Sequence, residues 1–170
     1  MRLRVAIRCA SFLTVVLAFA ATASATDISG TISSPLTIMD NSRLVGDVVC
    51  TVSGAPCITI AASNVVLDLN GYSITGLGDP QTGCSGNAVG SEIGILVNKL
   101  NNVTIRGLGM VQQFRNFGVQ LLSSTGVTVS GLTSSTNCTS GIIVSGGSNN
   151  VLANNVSIRN GTLGAPCGGI

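Results

Sequence analysis

Three sets of side chains in this 170-residue sequence are of types that could do chemistry. The first is Asp68 in CITIAASNVVLDLNGYSITG (57–76), together with Arg106 in VTIRG. A carboxylate and a guanidinium on one surface can hydrogen-bond sugar hydroxyls; with further acids they could serve acid–base catalysis. As a bare surface ion pair they would contribute at most about 1 kcal/mol. The second set is Arg115 and Asn116 in QQFRNFG, where polar groups stand between Phe114 and Phe117. Aromatics beside polar groups can stack on sugar rings, although large apolar side chains more often fill a core. The third set is the cysteines 50, 57, 84, 138 and 167, with no histidine and no CxxC pair beside them. They read as disulfide partners, and no metal site is expected.

The start of the chain places these groups outside the cytoplasm. Arg2, Arg4 and Arg8 precede an apolar run from about Ala10 to Ala21, followed by small residues ending Ala23-Ser24-Ala25. That is the pattern of a secretory signal peptide over residues 1–25. The run is shorter than the roughly 20 residues a membrane span needs, so no span is expected after cleavage. The mature chain, 26–170, then carries five basic and six acidic residues, a net charge of −1. No basic patch with interleaved aromatics survives, which excludes nucleic acid as a partner. A secreted or periplasmic location follows.

The elements that must position these residues repeat. LDLNG (67–71), VTIRG (103–107), VTVSG (127–131) and VLANN (151–155) align on a turn residue. GILV from Gly94, GVQL from Gly118 and GIIV from Gly141 recur in phase. Repeats of this length mean a stacked array whose units bury their apolar faces only against neighbours. Each unit holds short runs of alternating Val, Ile and Leu separated by Gly, Asn or Ser turns, the mark of strands. The sequence therefore predicts an all-β fold, a single-stranded parallel β-helix of about four to five coils. Residues 26–57 would cap it and 58–170 form coils, with a loop inserted at about 77–92.

Alternation assigns the faces. Leu67, Leu69, Val103, Ile105, Val127, Val129, Val151 and Ala153 are expected inward, and Asp68 outward in a column with Thr104, Thr128 and Leu152. Arg106 then falls in the column of Asn70, diagonal to Asp68. Gly71, Gly107, Gly131 and Asn155 would form a turn column at positive φ. Asn149, Asn150, Asn154 and Asn155 are expected to bond turn backbones.

Cys50 and Cys57 flank the turn TVSGAP and are expected to pair. Cys138 and Cys167 fall near one corner of consecutive coils, which predicts a second disulfide and leaves Cys84 over. In the alternative, Cys84 takes Cys138 and leaves Cys167. The sequence stops as another coil begins, which suggests a truncated β-helix whose open edge could self-associate.

The segment CITIAASNVVLDLNGYSITG, with NNVTIRGLGMVQQFRNFGVQL and GIIVSGGSNNVLANNVSIRNGT, resembles the secreted right-handed parallel β-helix proteins of the pectin-lyase-like superfamily. The resemblance spans most of residues 31–170 and implies a right-handed solenoid. That superfamily contains polysaccharide lyases, hydrolases and non-catalytic surface or carbohydrate-binding proteins, so the fold does not choose among them. The clustered aspartates and Gly-His-Gly of the hydrolases are missing here. The several carboxylates that hold calcium in the lyases are missing too, so calcium would enter only in a lyase. The leading expectation is a non-catalytic carbohydrate-binding or cell-surface module with a polysaccharide partner and no cofactor. Asp68, Arg106, Arg115 and Asn116 are its candidate contacts. A lyase or glycoside hydrolase with coils lying elsewhere, or a structural spacer, are the alternatives.

Overall fold

The computed structural model describes residues 25–84 and 89–161. The leader reading (1–24), Cys167 and part of the insert lie outside the described residues.

Runs of three or four β-branched residues are too short to bury a sheet alone, so the chain stacks them coil upon coil. It starts with β1 (Thr26–Ile32), followed by a first coil of β2 (Leu36–Ile38) and β3 (Ser42–Cys50). The second coil is β4 (Ile58–Ile60), β5 (Val66–Asp68) and β6 (Ser73–Thr75); the third is β7 (Ile95–Asn98), β8 (Thr104–Arg106) and β9 (Met110–Gln112). The fourth is β10 (Phe117–Thr125), β11 (Thr128–Ser130) and β12 (Thr133–Ser135); the fifth is β13 (Ser140–Ser148), β14 (Val151–Ala153) and β15 (Val156–Ile158). All pairs are parallel, and each strand pairs with its counterpart one coil away.

Three faces result. One stacks β2-β4-β7-β10-β13, a second β3-β5-β8-β11-β14 and a third β3-β6-β9-β12-β15, with the long β3 bridging the last two. β1 pairs along β3 and covers its outer edge. The interior is a column per face: Ile58, Ile95, Val119 and Ile142; Leu67, Ile105 and Val129; Val48, Ile74 and Val111, all fully buried. Burying each such side chain contributes roughly 1.5–3 kcal/mol.

Asparagines punctuate the corners with a fixed bonding pattern. The side-chain oxygens of Asn150, Asn155 and Asn160 accept the backbone N–H of Val127, Leu132 and Asn137, at 2.9, 3.2 and 2.9 Å. Their amides donate to the carbonyls of Ser124, Val129 and Ser134. The five-residue spacing in NVLANNVSIRN thus places one asparagine at each corner of the coil, tying it to the coil before.

The glycines that open the first-face strands have a steric cause. A Cβ on Gly118 would lie 2.6 Å from the Gly141 carbonyl and 2.7 Å from the Asn137 amide nitrogen. Gly118→Ala should therefore cost about 1–3 kcal/mol through overpacking, read as a lower urea midpoint at unchanged slope.

Two sequence registers need correction. Leu67 pairs with Ile105 and Asp68 with Arg106, so LDLNG sits two residues out from its expected alignment. Asp68 thus shares a column with Arg106 and Ser130 rather than with Thr104 and Thr128. The cause is Asn70, which takes positive φ just before Gly71, so this coil turns later than the others. In the fifth coil Val129 pairs with Leu152, so Leu152 points inward while Val151 is exposed. There Asn154, not Asn155, takes the left-handed turn, and Asn155 is the corner ligand. The inward assignments of Leu67, Leu69, Val103, Ile105, Val127 and Val129 stand, each fully buried.

The second disulfide is also corrected. Cys50 bonds Cys57 across TVSGAP, but Cys138 bonds Cys84 rather than Cys167. Gly83, at φ +71°, presses its backbone against Thr136–Cys138, which carries Cys84 to a Cα separation of 4.9 Å from Cys138. Once that bond forms, Cys138 has no sulfur valence for another partner.

Candidate functional site

The second face carries a ladder of alternating charge on its outer side. Asp27 pairs in register with Arg43, Arg43 with Asp68, and Asp68 with Arg106, so four strands present −, +, −, + in a row. Neighbouring parallel strands lie about 4.8 Å apart, which puts each charge within reach of the next. Arg43 Nε donates to Asp27 Oδ1 at 2.7 Å, and Arg106 Nε donates to Asp68 Oδ2 at 2.9 Å. The Asn70 N–H donates to Asp68 Oδ1 at 2.9 Å and fixes the carboxylate from the other side. The Arg43 hydrogen bond holds the Asp27 carboxyl below its ordinary range.

Arg43, Asp68 and Arg106 border an open cavity of 370 Å³, lined also by Ala25, Asn41, Ser42, Val66 and Asn70; Asp27 lies outside it. The Arg106 side chain, which lines the cavity, remains 57% exposed, and among the described residues only its Nε has a hydrogen-bond partner. Most of the lining is polar, and Ser42, Arg43, Val66, Asp68 and Arg106 are held on strands.

Arg115 and Asn116 lie elsewhere, in the turn between β9 and β10, and bind the inserted segment between β6 and β7. Arg115 Nε donates to Glu92 Oε2 at 2.6 Å, and its Nη2 bonds Glu92 Oε1. Glu92 is 2% exposed and also accepts from the Gly54 N–H at 2.9 Å and the Ser53 hydroxyl at 3.2 Å. Burial pushes the Glu92 carboxyl up, but Arg115, Gly54 and Ser53 together outweigh it and hold it below 4.5. Asn116 is buried and donates to the Gly90 carbonyl at 2.5 Å. This cluster joins the Cys50–Cys57 turn, the insert and the third-coil corner. It is a brace: its polar groups are spent on one another.

Sequence reasoning missed Glu92 as the partner of Arg115, because their proximity depends on the path of the insert. It also missed Asn137, which is fully buried beneath the insert. Spacing gave one clue: Asn137 and Asn160 are 23 residues apart, the repeat length. Both begin Asn-x-Thr sequons, yet their amides are committed to the interior.

The six acids of the chain can be followed one by one. Asp27 and Asp68 face arginines, and Glu92 is clamped by Arg115. Asp40 accepts from the Thr26 hydroxyl, Asp47 from the Ser73 N–H and hydroxyl, and Asp79 from the Gln81 and Thr82 N–H groups. Asp27, Asp47 and Glu92 are all shifted to greater acidity, away from the raised value a general acid needs near neutral pH. The arrangement presents carboxylate and guanidinium groups that can bind polar partners.

The family model described as periplasmic copper-binding protein (NosD) matches residues 50–167, more than half of the chain. No curated protein and no solved structure matches it significantly. Copper sites use imidazole, thiolate or thioether donors. This chain has no histidine, and Cys50, Cys57, Cys84 and Cys138 are locked in disulfides. Met39 is 70% exposed, and among the described residues no three His, Cys, Asp or Glu side chains converge. The described donor set does not fit copper. Parallel coils matched over this span define the relationship: the chain belongs to the NosD family of periplasmic proteins, right-handed parallel β-helices of the pectin-lyase-like superfamily.

Proposed function

We propose that this protein is a non-catalytic binding module that holds polysaccharide on the outer side of its second face. The observation that carries the reading is the Asp27–Arg43–Asp68–Arg106 ladder beside an open polar cavity. Carboxylate and guanidinium groups at successive strands offer paired acceptors and donors to vicinal hydroxyls. Neighbouring rungs lie roughly 4.8 Å apart, so a polymer laid along the coil axis meets several of them in turn. Preformed strand-borne groups bind without an ordering cost.

A thermal-shift screen of the full chain against acidic and neutral polysaccharides, with and without calcium, tests this. The expected result is a raised melting temperature with at least one polymer, independent of calcium, and no soluble oligosaccharide released. Release of oligosaccharides would overturn the non-catalytic reading. A melt that no polymer shifts would overturn the binding reading and favour a structural spacer.

A further inference from the structure

We infer that the ladder selects an uncharged polysaccharide and rejects polyanionic ones, an inference that rests on the binding role proposed above. The two arginines are each matched by an aspartate in the adjacent rung, so the four-rung column has no net charge. Arg43 donates through both Nε and Nη2 to Asp27, which leaves its fork turned towards that carboxylate. Asp68 lies between the two arginines in register. A polymer with a carboxylate on every sugar would bring one of them against Asp68 whenever it bound Arg43 or Arg106. Asp40, at the entry to β3, adds a further negative charge near this face. The other residues bordering the cavity, Ala25, Asn41, Ser42, Val66 and Asn70, have no charged side chain. A neutral chain meets none of this repulsion: its hydroxyls donate to Asp68 and accept from the outward N–H groups of Arg106.

Asp68 and Asp27 thereby become specificity determinants. Replacing either by asparagine keeps the shape and leaves the column with a net positive charge. That charge should admit polyuronates in a salt-dependent manner.

The test is affinity gel electrophoresis of the full chain with galactomannan and dextran as neutral probes and polygalacturonate and alginate as acidic ones. The parent should be retarded by a neutral polymer at least tenfold more strongly than by either polyuronate, with little effect of added salt. D27N, at an exposed position, should narrow that ratio at least threefold at low salt; D68N should do the same, provided its melting temperature confirms folding. Equal or stronger retardation by polyuronate in the parent would overturn the selectivity while leaving the binding role intact. Failure of both asparagine variants to gain polyuronate binding would also overturn it. Retardation by neither class would overturn both readings.

Discussion

Asn137→Ala should lower the stability of the folded chain by about 3 kcal/mol, near the top of the range for a buried polar side chain. Asn137 is fully buried; its oxygen accepts the Phe114 N–H at 3.0 Å. Its amide donates to the Val111 carbonyl, the Ser134 hydroxyl and the Asn160 oxygen at 3.2, 2.9 and 3.0 Å. Alanine would strand several of these groups away from water, at about 1–3 kcal/mol for each left unsatisfied. Asp in its place would fare no better, since it cannot donate to Val111 or Ser134 while ionised. Urea denaturation followed by circular dichroism measures the loss. A change below about 0.5 kcal/mol would show that the corner asparagines do not hold the coils together.

Arg115→Met should cost a similar amount, about 3 kcal/mol, because it leaves the Glu92 carboxylate buried without its counter-charge. Its signature lies in pH. In the parent, Glu92 is more acidic folded than unfolded, so its contribution is present above its ordinary value of 4.5. That contribution disappears as pH falls through the lower folded value. In the variant, burial remains and the main lowering partner is gone, so the folded carboxyl becomes the weaker acid. Acid should then relieve the variant while it weakens the parent, and the gap between them should shrink from neutral pH to below 4.5. Adding Glu92→Gln to Arg115→Met removes the buried charge and should recover much of the loss at neutral pH. Denaturant midpoints at a series of pH values decide the matter; a gap independent of pH would contradict the role given to Glu92.

The architecture was legible in the sequence because a solenoid repeats its physics. Alternation placed Ile105 and Val129 inward and Asp68 outward, and Gly94, Gly118 and Gly141 aligned at the observed register. Alignment failed at Asn70-Gly71 and Asn154-Asn155 because asparagine, more than most non-glycine residues, also enters positive φ. A turn can therefore move by a residue or two with no change in the letters that mark it. The coils still stack, since each strand is paired through its backbone and its inward apolar residues. The shift does change the outward columns, and it is what turns an expected diagonal Asp68–Arg106 contact into a direct rung of a longer ladder.

The insert was legible only as an insert. Its Gly and Pro signals mark a loop, but the partners of Cys84 and Glu92 depend on which corner it crosses. Arg115 and Thr136–Cys138 lie one and two coils away along the axis, beyond any local pattern. From their aromatic neighbours alone, Arg115 and Asn116 resemble sugar contacts. In the structure Phe114 is core, and both polar side chains reach the insert instead.

The most direct measurement of the central claim follows binding and turnover in one sample. The full chain is incubated with the polysaccharide that shifts its melt most, and the bound fraction and new chain ends are quantified over time. Binding should be saturable and weakened at least fivefold by Arg106→Ala, with no new reducing or unsaturated ends at any time. Chain ends that accumulate in proportion to protein concentration, and fall with Arg106→Ala, would contradict it.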